Sequence, residues 1–191
     1  MKAPTMLVVS DSHSNYSSLA AILHWVKCRD IGAFVFLGDG ISDLAYASDL
    51  AGFYPTWNMV HGNGDWQSDV PLSTTLEFAG HRFFLCHGHI NRVKESLSSL
   101  IVHAQAAGAE VALYGHTHMA FWDEINGILA LNPGSAGRPR PNAPASFATI
   151  SCPTDEWFDI HYWAIELGGF APFLRGRSFR RISSWDLPGS Y

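Results

Sequence analysis

Five short apolar runs, all before residue 119, each end in a cluster of aspartate, histidine or asparagine, most with glycine, and this recurrence constrains the fold more than any other feature. Met6-Leu7-Val8-Val9 runs into Ser10-Asp11-Ser12-His13-Ser14-Asn15, and Ala33 to Leu37 into Gly38-Asp39-Gly40-Ile41-Ser42-Asp43. Trp57 to Val60 leads to His61-Gly62-Asn63-Gly64-Asp65, Arg82 to Cys86 to His87-Gly88-His89, and Val111 to Tyr114 to Gly115-His116-Thr117-His118. Continuous apolar, β-branched runs of this length read as strands buried on both faces, the kind that helical crossovers cover. Helical spacing follows three of them. Tyr16 to Cys28 places Leu19, Ile22, Leu23 and Val26 on one face, Ser42 to Ala51 forms a second helix, and Asn91 to Ala107 places Val93, Leu97, Leu100, Ile101 and Ala104 at core spacing. Ser14 or Asn15 caps the first, Asp43 is a first-turn acid in the second, and Gly108 stops the third.

Sheets wound in this way carry their functional groups at the carboxyl ends of strands. Asp11 and His13, His87 and His89, and His116 and His118 each stand two apart. In extended backbone such pairs project to one side and can reach a common centre, with Gly115 letting the chain bend out of the sheet edge. Each cluster alone has a bland reading: hydrogen-bonded histidines, a helix cap at Ser14 or Asn15, tight turns at Gly38-Asp39-Gly40 and Asn63-Gly64. Five together do not. Asp11, His13, Asp39, Asn63, His87, His116 and His118 offer carboxylate, imidazole and amide oxygen, which suits borderline divalent ions and is too many donors for one closed zinc site. Two ions bridged by one carboxylate is the economical arrangement, and the lack of thiolates disfavours redox clusters and structural zinc.

The remaining chain reads differently. Leu72 to Phe78 and Arg82 to Cys86 form a hairpin about Ala79-Gly80-His81, and Phe121 to Ile125 and Ile128 to Leu131 form another about Asn126-Gly127. A proline-rich loop from Asn132 to Pro141 fixes a non-helical path near the centre, and Phe147 to Ser151 and Trp157 to Leu167 supply further strands. From Gly168 to Tyr191 an aromatic and arginine-rich extension carries Phe170, Phe173, Phe179 and Trp185 among Arg175, Arg177, Arg180 and Arg181. Such a tail packs on its own domain or on a sister subunit in a homodimer more often than it stacks nucleotide bases. With no linker composition anywhere, residues 1–191 read as one domain. A net charge of −5 argues against a chain built to grip nucleic-acid backbone. Cys28, Cys86 and Cys152, odd in number and without Cys-x-x-Cys spacing, read as reduced thiols of a cytoplasmic protein, and the first apolar run is too short for a signal peptide or membrane span.

The order Asp11-x-His13, Gly38-Asp39, Gly62-Asn63, His87-Gly88-His89, Gly115-His116-x-His118, within residues 5–135, resembles that of the calcineurin-like metallophosphoesterases, close to the small bacterial and archaeal phosphodiesterases of that superfamily. The resemblance implies an α/β fold of two mixed β-sheets packed face to face and flanked by helices, a four-layer αββα sandwich. It implies that Asp11, His13, Asp39 and His118 hold one ion and that Asp39, Asn63, His87 and His116 hold the other. Manganese is the first expectation, with iron, nickel, cobalt or zinc as alternatives. The implied reaction is hydrolysis of a small phosphate ester, a phosphodiester first, by a metal-activated hydroxide. Many relatives follow the metal-binding asparagine with a histidine that protonates the leaving group, whereas Gly64 stands here, so His89 or His61 is the candidate substitute. Asn63, His89 and Arg138 are the candidate substrate contacts. The Gly-Asp-x-Val-Asp-Arg-Gly run of protein phosphatases and diadenosine tetraphosphatases is absent. The alternative is a non-catalytic interaction module on the same fold, as in the retromer subunit.

Overall fold

In this computed structural model, residues 3–66, 69–154, 157–166, 169–174 and 178–180 are described. The elements run β1 (Thr5–Val9), α1 (Tyr16–Val26), β2 (Ala33–Phe36), α2 (Asp43–Ala51), β3 (Trp57–Met59), β4 (Ser73–Phe78), β5 (His81–Cys86), α3 (Ser98–Ala106), β6 (Val111–Leu113), β7 (Ala120–Ile125), β8 (Ile128–Pro133), β9 (Ser146–Thr154), β10 (Trp157–Glu166), β11 (Gly169–Leu174) and β12 (Ser178–Arg180). One mixed sheet has the order β11-β10-β9-β1-β2-β3, with β12 also paired to β10, and the other the order β4-β5-β6-β8-β7.

Side-chain alternation along the strands explains why the apolar runs are continuous. In β1, Met6 and Val8 enter the core between the sheets with Val35, Phe83, Leu85, Val111 and Leu113, while Leu7 and Val9 meet Leu19, Ile22, Leu23 and Leu44 of α1 and α2. On the far side, Phe84, Ala112 and Ala130 of the second sheet pack on Leu100, Ile101 and Ala104 of α3. Each central strand is therefore covered twice, once by the other sheet and once by a helix, which gives the four expected layers.

Local chemistry sets the boundaries. Asn15 caps α1 by accepting the Ser18 N–H at 3.2 Å. The turns Ala79-Gly80 and Asn126-Gly127 have positive φ at both positions, as two-residue hairpins of the right-handed twist require, and His81 belongs to β5 rather than to the turn. The third helix is shorter than its apolar spacing suggests. It starts at Ser98, because Arg92 sits at φ 55° and the Ser96 hydroxyl accepts the Ser98 N–H, so residues 91–95 form turns and Leu97 is the residue before the helix. Val93 and Leu97 still pack in the third core.

The strand expected to reach Leu167 ends at Glu166. Beyond it, β11 and β12 pair with β10, and Phe170 packs on Trp25 and Phe147 with ring centroids 5.5 and 5.4 Å away. This part of the tail packs on its own fold. Leu167, Arg175, Arg177, Arg181, Trp185 and Tyr191 lie outside the described residues. No helix among the described residues is long and apolar enough to cross a membrane.

Candidate metal centre

The loops after β1, β2, β3, β5 and β6 meet at one end of the two sheets. Asp11, His13, Asp39, His116 and His118 all adopt left-handed backbone, with φ of 56°, 45°, 58°, 68° and 59°. Such a conformation costs a non-glycine residue about 1–2 kcal/mol, so five together mark a place where the fold gives up local stability for side-chain direction. It also changes how the paired histidines behave. Extended backbone would send His116 and His118 to one centre, whereas here they turn to two adjoining groups, Asp11, His13 and His118 in one and Asp39, His87 and His116 in the other.

Within the first group, Asp11 Oδ2 accepts the Ser10 hydroxyl at 2.5 Å and the His116 N–H at 3.0 Å. Its Oδ1 is buried without a hydrogen-bond partner, and Nε2 atoms of His118, His13 and His87 face it at 3.1, 3.6 and 3.9 Å. Asp39 Oδ1 accepts the Gly64 N–H at 2.6 Å, while Oδ2 stands 3.6 Å from His13 Nε2 and 3.5 Å from His87 Nε2, between the groups. His87 donates Nδ1–H to the Leu37 carbonyl at 2.7 Å and His118 donates Nδ1–H to the Arg138 carbonyl at 2.6 Å, which leaves Nε2 of each as the inward atom. The nitrogens then confront one another: His13 Nε2 with His118 Nε2 at 3.1 Å, and His116 Nδ1 with His87 Nε2 at 3.2 Å. An orphaned buried carboxylate oxygen and two pairs of imidazole nitrogens facing each other at 3.1 and 3.2 Å fit divalent cations.

The electrostatics agree. Burial would raise the Asp11 carboxyl, but His118, His13, His87 and Ser10 hold it below the usual carboxylate range. For Asp39, burial is likewise outweighed by His87 and the Gly64 N–H. His13 is raised by Asp11, and His87 is raised by Asp39 and Asp11 against the effect of its burial. Burial and the charge of His87 push His116 down to about 4.

The other expected site residues stand nearby. His89 lies 5.4 Å from His87 and 6.2 Å from His116 by ring centroids, with its Nδ1 buried and unpartnered, and burial followed by His87 and His61 lowers its pKa. Arg138 is exposed, and its charge reaches His13. Asn63 is exposed, in a loop held to Asp39 by the next residue's backbone, while His61 lies 6.3 Å from His89.

Several supporting residues escape a search for ligands. Asp65 accepts four backbone N–H groups, from Asp39, Gly40, Ile41 and Gly62, at 2.6 to 2.9 Å, and so welds two ligand loops together. Asp43 accepts the Ser12 hydroxyl and the Ser14 N–H, tying α2 to the loop after β1. Buried Asn132 donates to the Gly115 carbonyl at 2.8 Å and accepts the Gly134 N–H at 2.9 Å, and Ser135 donates to the Asp11 carbonyl at 2.7 Å. Their sequence signal was weak because aspartate, asparagine and serine are ordinary turn residues. Gly115 also has a different reason from the bend expected of it. Its φ is not positive, but a Cβ there would fall 2.1 Å from Ser10 Oγ and 2.7 Å from Asp11 Oδ2.

Comparison with known proteins accords with this geometry. Residues 5–155 match the calcineurin-like phosphoesterase superfamily domain. The chain is 28% identical over 153 residues to a "probable metallophosphoesterase" of Bacillus subtilis, covering 78% of this chain and 85% of that one. It is 22% identical over 141 residues to a phosphodiesterase of Methanocaldococcus jannaschii, covering 66% and 81%. The crystal structure of Vps29 from Chaetomium thermophilum shares the fold at a TM-score of 0.76 and 17% identity, covering 94% of this chain and all of that one.

Proposed function

The chain belongs to the calcineurin-like phosphoesterase superfamily, and from that premise we propose that it is a phosphodiesterase acting on a small phosphate ester with two divalent ions. The observation that carries this reading is the position of Asp39 Oδ2, within 3.6 Å of a histidine from each group while Oδ1 is held by Gly64. Asp11, His13, Asp39 and His118 would hold one ion and Asp39, Asn63, His87 and His116 the other, with manganese the first choice. Bound there, the ions would supply positive charge opposite the phosphate oxygens and lower the pKa of water from ~16 towards ~7.

The chain's own groups do the rest. The Leu37 and Arg138 carbonyls orient His87 and His118, and the Gly64 N–H orients Asp39, so the donors are arranged before substrate arrives. Arg138 holds a phosphate oxygen beside His13, and Asn63 turns its amide to another. With no side chain at Gly64 to protonate the departing group, His89 donates a ring N–H to the leaving oxygen.

Hydrolysis of bis-p-nitrophenyl phosphate, with metal content measured on the same samples, tests this. Turnover with added Mn²⁺, Co²⁺, Ni²⁺ or Zn²⁺ is expected from wild type and not from Asp39→Asn, which keeps an oxygen for Gly64 but loses the shared anion. Protein that binds two ions and turns over nothing would favour the second reading, an interaction module, to which the Vps29 likeness lends support because fold alone does not set chemistry.

A further inference from the structure

We propose that Trp66 is the platform on which the substrate stacks a planar aromatic group, so that the centre selects phosphate esters bearing an aryl ring or a nucleobase. This rests on the phosphoesterase reading above. Trp66 is 86% exposed, the most exposed of the large apolar side chains described. Trp25, Trp57, Trp122 and Trp163 all pack against the cores. A scattered exposed aliphatic is ordinary; a tryptophan with nearly all of its ring in water contributes little to folding.

Its mount, by contrast, is held firmly. The residue before it, Asp65, receives the four N–H groups of Asp39, Gly40, Ile41 and Gly62, which fixes the backbone at Trp66 against the loop carrying Asp39. The base of the same loop is closed by the His61 N–H on the Pro71 carbonyl at 3.0 Å. Trp66 is three residues from Asn63, so their Cα atoms are no more than about 11 Å apart. The loop after β5 lies alongside through His61 and His89, and it carries Ile90, 62% exposed. Both loops on this flank of the centre therefore carry an exposed apolar side chain, Trp66 after β3 and Ile90 after β5, while the charge of Arg138 reaches His13. A ligand with an anionic phosphate and a flat ring matches both, and an indole face accepts any planar ring because every such ring has a π-face.

The test is calorimetric binding of three monoesters, thymidine 5′-phosphate, phenyl phosphate and methyl phosphate, to Mn²⁺-loaded wild type, Trp66→Ala and Trp66→Phe. Wild type is expected to bind the two aromatic esters about ten-fold more tightly than methyl phosphate. Trp66→Ala should bring all three within about two-fold of one another, and Trp66→Phe should keep most of the preference, with Tm unchanged in both. Thymidine 5′-phosphate bound more tightly than phenyl phosphate identifies a nucleobase site; equal binding identifies a general aryl site. A preference that survives Trp66→Ala overturns the proposal, as does equal weakening of all three esters. So does a change of elution volume with the preference intact, which would make Trp66 a contact between copies. Stacking in a protein that leaves bis-p-nitrophenyl phosphate intact would sink the phosphodiesterase reading and leave the platform standing. Failure of wild type to bind any of the three overturns the platform, while turnover of the diester would leave the phosphodiesterase reading in place.

Discussion

At Asp65 a single carboxylate holds together two loops that share no sequence proximity. Its oxygens accept N–H groups from Asp39, Gly40 and Ile41 after β2 and from Gly62 after β3. Hydrogen bonds to a charged acceptor are stronger than neutral ones, and four donors left facing a methyl group would need water or a rearranged loop. Asp65→Ala should therefore lower unfolding stability by about 2–4 kcal/mol, read from urea midpoints, and should weaken metal binding although Asp65 is not assigned as a ligand. Unchanged metal affinity in that variant would show that the two loops keep their places without it. The left-handed ligands make the same point from the other side. Asp11, Asp39, His116 and His118 hold an unfavourable φ because neighbours such as Gly38, whose carbonyl accepts the Asp11 N–H at 3.0 Å, leave them no other path.

At the scale of elements, the strand ends approach so closely that some positions have no room for a Cβ. Gly115, between β6 and His116, is the clearest, since its added carbon would lie 2.1 Å from Ser10 Oγ. Gly115→Ala must push the loop after β6 away from the loop after β1. The expected outcome is a folded protein destabilised by about 1–3 kcal/mol whose loss of metal is greater than that loss of stability suggests, because His116 and His118 leave with the loop. Thermal unfolding and metal analysis on the same preparation would check it, and wild-type metal content would refute it. The glycine was legible as a glycine-requiring position, but its reason was not, because the obstructing atoms belong to the loop after β1, more than a hundred residues away. The third helix teaches a related lesson. The apolar spacing from Val93 to Ala104 marks a core-facing set, yet Val93 reaches that core from a turn and Leu97 from the bend before the helix, since packing asks only that they face inward.

For the whole molecule, the two donor groups brace the sheets against each other. Asp11, His13, Asp39 and Asn63 follow strands of one sheet, while His87, His116 and His118 follow strands of the other. An ion drawing on both would bind the folded chain and not the unfolded one. At a hundred times its dissociation constant a ligand adds about 2.7 kcal/mol, so returning Mn²⁺ to metal-stripped protein should raise Tm by about 5–10 °C. Differential scanning fluorimetry across a metal titration measures this, and a Tm indifferent to metal would contradict the bracing.

What the sequence by itself determined was the set of buried strands, the helices between them and the donor types at their ends, because periodicity and composition are local properties that the chain carries before it folds, while the order of the motifs, by resemblance, implied the division of the donors and the chemical class. The tertiary structure alone decided the left-handed backbone of the donors, that Asp65 and Asn132 hold the loops, and that Trp66 is left in water. Those outcomes depend on contacts between residues distant in sequence and on backbone angles that only such contacts can impose.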